Sequence, residues 1–389
     1  MKKKLLATLV SAAMVATLMV GCGEAAAPAA APAAPAATEE KAEEAAPAEE
    51  AAPAAEAAGE AYHYEMIVKS FQSSYWQAAV KGINQACEEL GVTANCTGPN
   101  AESDIADQVN MLNNAINSAP NGIGLAACDA ESVLDSLQQA MDAGIPVVCF
   151  DAGVPNAPAG SVLATVATDN FAAGAVAADN LYAALKDKIA SDKPVRIGEI
   201  NQDATGANII ERGLGFIDTF AALAEADGYK VAVVGNEKYV AETKANKVDE
   251  KEADIIIDVR VPAQTTVELC ATEASAIMGE KDLIGIFGSN QVSAEGVLTA
   301  NDTLQKLGTD PATSILAVGF DAGSVIKGAI NAGTMFGAVT QSPLMQGYLA
   351  IDTLVKINNG ETVADIPTDG YWYDSTNMTD DSIAPNLYD

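Results

Sequence analysis

The chain has 389 residues, 49% of them hydrophobic, with 53 acidic against 21 basic side chains and a formal net charge of −32. This acidity favours solubility and argues against a nucleic-acid partner, whose phosphates it would repel. A lone histidine, His63, removes most histidine-based nucleophile and metal arrangements.

Lys2, Lys3 and Lys4 precede an apolar run that ends in Gly21-Cys22. The run is short for a membrane span and lacks a stop-transfer charge cluster, so residues 1–21 read as an export signal peptide. Leu18-Met19-Val20-Gly21-Cys22 resembles a bacterial lipobox. The resemblance implies cleavage before Cys22 and a diacylglycerol on its thiol, which anchors the protein to the outer face of the cell membrane. Residues 22–61, almost all Ala, Pro and Glu with no large apolar side chain, cannot bury enough surface to offset the entropy of ordering and read as a disordered tether. If Cys22 carries lipid, Cys87, Cys96, Cys128, Cys149 and Cys270 remain, an odd number in apolar surroundings. They read as buried free thiols, and no C-x-x-C suggests zinc.

From residue 64 the pattern alternates. "YEMIVKS" reads as a strand, and Trp76, Val80, Ile83, Cys87 and Leu90 mark one face of a following helix. "GVTANCT" is a second strand, 103–118 a helix, "GIGLAA" a strand, 131–143 a helix and "IPVVCFD" a strand. The alternation then starts again: "SVLATVAT", a helix from 170, "PVRIGEI", a helix "GANIIERGLGFIDTFAAL", "YKVAVVG", a helix over 265–278, "DLIGIFG", a helix over 292–307, "SILAVGF", a helix over 324–332, "FGAVT" and a helix over 344–358. The polar stretch 236–254 breaks the period and reads as a surface insertion. Short apolar strands separated by helices imply an α/β fold of two doubly wound parallel-sheet lobes.

In such sheets ligands bind beyond the carboxyl ends of the strands. There the sequence places Ser73, Tyr75 and Trp76, then Cys128 and Asp129, Asp151, Asn201 to Asp203, Ser289 to Gln291, Asp321, and Gln341 with Ser342. Carboxylates and amides each pair with several hydroxyls, and aromatic faces pack on the C–H face of a sugar ring. Each residue also has a plain structural role open to it. Asp151 is equally a cap or turn residue, Trp76 begins an apolar stripe, and Arg212 is ordinarily a solvated helix charge. Tyr75, off that stripe, is expected to be exposed in a cleft.

The order of "SFQSSYWQAAVKGINQACEELG", "AGIPVVCFDAGV", "VATDNFAAG", "IIERGLGF", "GIFGSNQVSAEGV", "AVGFDAG" and "GAVTQSPLMQGY" resembles the type I periplasmic binding proteins of the ribose and galactose group, across residues 62 to about 372. The resemblance implies two lobes joined by a three-strand hinge, closing on a monosaccharide or small polyol and delivering it to an ABC importer permease. The lobes are then 62–167 with 342–371, and 168–341 with 372–389, with hinge segments at 168–170 and 341–343. The implied ligand-binding set is Ser73, Tyr75, Trp76, Asp151, Asn208, Arg212, Gln264, Asn290, Asp321 and Gln341, with Tyr75 and Trp76 sandwiching or edging the sugar ring. Ala152 stands where the ribose type has an arginine. The calcium loop of some galactose binders is not evident, so no metal or cofactor is expected, nor catalysis, and a monomer is. Alternatives are a receptor for a nucleoside or sugar-like signalling molecule, or a glycoside-processing enzyme built on the Asp151 and Asp321 carboxylates. A repressor of the same body type would need a basic helix-turn-helix ahead of the lobes.

Overall fold

The computed structural model describes residues 61–389 except Lys193 and Lys247. The signal segment, Cys22 and the tether up to residue 60 lie outside the described residues.

The elements run β1 (His63–Ile67), α1 (Ser74–Leu90), β2 (Thr93–Thr97), α2 (Ile105–Asn117), β3 (Gly122–Leu125), α3 (Leu134–Asp142), β4 (Val147–Phe150) and β5 (Ala164–Thr168). There follow α4 (Asn170–Asp192), β6 (Val195–Ile200), α5 (Ala207–Ala226), β7 (Val231–Gly235), α6 (Glu237–Glu242), β8 (Ile255–Arg260), α7 (Val267–Met278), β9 (Leu283–Gly288) and α8 (Gln291–Leu304). The chain continues with β10 (Leu307–Gly308), β11 (Ile315–Phe320), α9 (Ser324–Asn331), β12 (Gly337–Thr340), α10 (Pro343–Asn358), β13 (Ile366–Thr368) and β14 (Tyr371–Tyr373).

Two sheets form. The first has the order β13-β5-β4-β3-β1-β2 and is parallel throughout. The second has the order β14-β12-β11-β9-β6-β8-β7, with β10 beside β11, and among the described residues only β14 runs antiparallel. Alternation along each strand feeds a separate apolar layer on each face. Val148 and Phe150 of β4 pack with α1 and α10, while Val147 and Cys149 pack with α2 and α3. In the second sheet Leu316 and Val318 face α4 and α5, and Ile315 and Ala317 face α7, α8 and α9. This is the two-lobed, doubly wound α/β architecture expected from the sequence.

The structure corrects three expectations. The stretch 236–254 is no insertion. It holds α6, capped by Asn236 and anchored by the buried Tyr239, and a 3-10 turn at Glu250–Glu252, and so forms the crossover between parallel strands β7 and β8. Its polar surface hid that role, and β8, the apolar run "IIIDVR" just beyond, went unread with it. Residues 366–373 form β13 in the first sheet and β14 in the second, pieces too short to show a period. Tyr371 pairs with Thr340 in the second sheet, so this passage between sheets falls at 369–370, ahead of a 371/372 boundary. Two further passages link β5 to α4 and β12 to α10.

Glu199 in β6 is fully buried. Asn201 Nδ2 donates to its Oε1 at 2.7 Å, while Oε2 has no hydrogen-bond partner. Burial pushes its carboxyl well above the ordinary glutamate range. The unfolded chain ionises at a pKa of about 4.3, the folded chain only at higher pH. The folded state therefore loses stability as pH climbs from the first value through the second. Glu199→Gln, which mimics the protonated acid, should unfold at higher urea concentration than the unmodified protein at pH 8, with the gap closing toward pH 4. A gap that does not change with pH would contradict this.

Candidate functional site

The carboxyl ends of the strands from both sheets converge on one cavity. It is lined by Ser73, Tyr75, Trp76, Asp151, Asn208, Arg212, Asn290, Asp321 and Gln341. All nine were named from the sequence. Gln264 was also named but does not line it. It is exposed, in a turn where its carbonyl accepts from Thr266 N. The polar crossover just upstream obscured the local alignment.

The two carboxylates are equivalent by construction. Phe-Asp-Ala-Gly occurs at 150–153 and again at 320–323, once at the end of β4 and once at the end of β11. Asp151 (φ 61°) and Asp321 (φ 74°) both adopt the left-handed conformation, which aspartate tolerates better than most residues. Asp151 N donates to Val166 O and Asp321 N to Val339 O, each on the neighbouring strand. This turns both side chains across the strand ends and into the cavity.

Asp151 is surrounded by donors. Tyr75 Oη donates to its Oδ1 at 2.5 Å, Asn208 Nδ2 to its Oδ2 at 2.9 Å, and Lys69 Nζ lies 3.5 Å from Oδ2. Lys69 Nζ also donates to Asn208 Oδ1 at 2.9 Å. Burial works against this ammonium, but Asp151, Glu102 and Asp203 around it outweigh burial and hold it above the usual lysine value. Asp321 accepts from Gln341 Nε2 at 2.6 Å and, at the start of α8, from Gln291 N at 2.9 Å. Burial raises its carboxyl, against the pull of the Arg212 guanidinium and the Gln341 bond.

Arg212 is 1% exposed, not a solvated charge. Its Nε and Nη2 donate to Asn170 Oδ1 at 3.2 and 2.7 Å, its Nη1 donates to Ser289 O at 2.8 Å, and its guanidinium lies 3.7 Å over the Phe320 ring. The Asn290 side chain caps α8 through Ser293 N and donates to Gln202 Oε1.

The expectation that Tyr75 is exposed in a cleft is corrected. Tyr75 is 5% exposed and packs in the first lobe's core alongside Trp76. Their rings meet edge to face, 84° apart at 4.9 Å, so they cannot present two parallel walls to one sugar ring. Tyr75 instead acts through its hydroxyl on Asp151, and burial with that carboxylate keeps its phenol far above the usual tyrosine range. Trp76 Nε1 donates to Glu102 Oε1 at 2.8 Å, and Gln202 Nε2 to Glu102 Oε2 at 2.7 Å.

Lys69, Glu102, Gln202 and Gln291 line the same cavity and were not named as site residues. A signal existed for each. Lys69 is a charge just past the apolar end of β1, and Glu102 follows β2, the strand end left out of the survey. Gln202 and Gln291 sat in the strand-end set. Burial raises the Glu102 carboxyl, with Lys69 opposing it. Because these groups bond one another, they leave about 20 Å³ of free space, roughly the room of one water. Among the described residues no group of three or more His, Cys, Asp or Glu side chains is arranged to hold a metal ion.

Two sheets meeting at a cavity of acids, amides and buried cations have the form of a binding cleft. Residues 64–362 match the model of the periplasmic binding protein domain. The chain belongs to the periplasmic binding protein family, in its type I form, which is a family of receptors and not of enzymes. It is 28% identical over 241 residues, 62% of this chain and 67% of the relative, to the ribose import binding protein RbsB of Haemophilus influenzae. Among solved structures it is similar to an ABC transporter, LacI family transcriptional regulator from Brachyspira murdochii, with 30% identity, a TM-score of 0.70, and 85% of this chain and 99% of that one covered. It is also similar to an ABC transporter solute binding protein from Agrobacterium vitis with bound D-fucose, with 26% identity, a TM-score of 0.68, and 84% of this chain and all of that one covered.

Arg212→Lys should lower folding stability by about 2 kcal/mol or more, since an ammonium cannot make the three donations or stack flat on Phe320. Urea unfolding at neutral pH measures this, and an unchanged midpoint would count against a structural role for the guanidinium.

Proposed function

We propose that the protein binds a monosaccharide or similar small polyol between its lobes, releases it unchanged, and delivers it to the permease of an ABC importer. One observation carries the reading: two left-handed aspartates, one per lobe, share a single cavity with Lys69, Arg212, Asn208, Asn290 and Gln341. Planar acids and amides match the paired hydroxyls of a sugar, and burying those bonds makes a missing hydroxyl costly. Relatives named for ribose import and found with D-fucose support this class of ligand. The edge-to-face Tyr75 and Trp76 offer no parallel slot for a nucleobase, which disfavours a nucleoside. The net charge of −32 disfavours a DNA-binding role.

Entry of a sugar requires the lobes to part by rotation at 168–170, 341–343 and 369–370. The mutual bonds of the site are then exchanged for bonds to hydroxyls, and ligand biases the closed state. Lipid on Cys22 and the acidic tether would hold this receptor, as a monomer, at the outer face of the membrane.

A thermal-shift screen of residues 62–389 with D-ribose, D-allose and D-fucose, alongside nucleosides, tests the reading. A cognate sugar raises the melting temperature by linkage, about 2.7 kcal/mol of stabilisation at a hundredfold excess over Kd. Asp321→Ala should abolish the shift in a folded protein, and Gln264→Ala should leave it unchanged. Chromatography of the recovered sugar should show no product. Retention of the shift in Asp321→Ala would place the site elsewhere.

A further inference from the structure

After β14 the chain turns back over the passages between the lobes. Ile383 and Leu387 pack into the second lobe's core against α7, α8 and α9. The very next residue, Tyr388, packs into the first lobe's core, its ring edge-on to Tyr75 at 5.8 Å and 76°. Between them Asn386 lies on the β12–α10 passage. Its carbonyl accepts from Thr340 Oγ1 at 2.8 Å and its side-chain oxygen from Ser342 Oγ at 2.5 Å.

Tyr388 also holds the second Phe-Asp-Ala-Gly turn. Ala322 N donates to its Oη and Gly323 N to its carbonyl, both at 3.1 Å. These are the two amides that follow the left-handed Asp321, whose own carbonyl accepts from Tyr373 Oη at 2.7 Å. Asp389 adds an ion pair to Lys327 on α9. One residue thus braces Tyr75, which orients Asp151, and the turn that orients Asp321.

Resting on the reading of the cleft given above, we infer that Tyr388 is a positioning residue for the ligand cavity, and that the 383–389 strap is a non-covalent fourth link between the lobes that favours closure. Its ring and its hydroxyl act on different lobes, so opening must break one set of contacts. The strap does not line the cavity. It sets the geometry of two groups that do, and a small misplacement of a hydrogen-bonding carboxylate costs affinity.

The test uses Tyr388→Phe and Tyr388→Ala in the full chain. Amide hydrogen exchange in the ligand-free protein should be faster at Ala322 in Tyr388→Phe, and at both Ala322 and Gly323 in Tyr388→Ala. Calorimetric titration with D-ribose and D-fucose should show affinity three- to tenfold weaker for Tyr388→Phe and at least tenfold weaker for Tyr388→Ala, so that the conservative variant restores part of the loss. Small-angle scattering of ligand-free Tyr388→Ala should show a larger radius of gyration. Unchanged exchange at both amides would overturn the inference. So would an affinity loss equal in the two variants and accounted for by their folded fractions. If the unmodified protein binds neither sugar, the proposed ligand class fails, while exchange and scattering still decide the strap.

Discussion

A run of hydrogen bonds passes from Asp321 through the hinge to Gln346, which lies beside the hydroxyl that serves Asp151. Asp321 accepts from Gln341, whose oxygen accepts from Thr168 Oγ1 at 2.7 Å. Thr168 Oγ1 accepts from Gln346 Nε2 at 2.8 Å, Gln346 Oε1 lies 3.0 Å from Tyr75 Oη, and Tyr75 donates its one proton to the nearer oxygen, on Asp151. Thr168 ends β5, Gln341 follows β12 and Gln346 lies in the first turns of α10, so these three sit at or beside a passage between the lobes. Asp169 N, bonded to Thr368 O at 2.9 Å, ties in the third passage. The fold brings these side chains together only because three chain segments cross at one place.

The constraint behind this run is desolvation. Lys69, Asp151, Arg212 and Asp321 are each at least 96% removed from solvent by burial in the cleft, and unpaired charges there would be intolerable. Each is instead engaged with amides, hydroxyls, a backbone carbonyl or an opposite charge. A site satisfied in this way exchanges partners with a hydroxyl-rich molecule at little net cost, whereas an apolar visitor would strand several buried donors and acceptors.

Much of the site was legible because strand-end residues in a parallel sheet face one side, whatever the details of packing. Asp151, Asp321, Asn290 and Gln341 could be found that way, and the repeated Phe-Asp-Ala-Gly stood in the sequence as a further sign of equivalence. Legibility failed where local pattern and tertiary role diverge. Tyr75 lies off the apolar stripe of α1 yet is buried, because Tyr388 from the far end of the chain and Gln346 from α10 enclose it. β8 was masked by the polar crossover before it. Gln264 has the right neighbours in sequence but points to solvent.

The sequence alone determined the α/β class, the doubling of the pattern and the chemical character of the cleft, since periodicity and residue type at strand ends depend on neighbours a few positions away. Only the tertiary structure decided which hydroxyl orients which carboxylate, that Lys69 and Glu102 belong to the cavity, and that residues 383–389 lie across the hinge. Those facts rest on contacts between residues up to about three hundred positions apart, such as Tyr75 with Tyr388, and no local pattern encodes a partner at that distance.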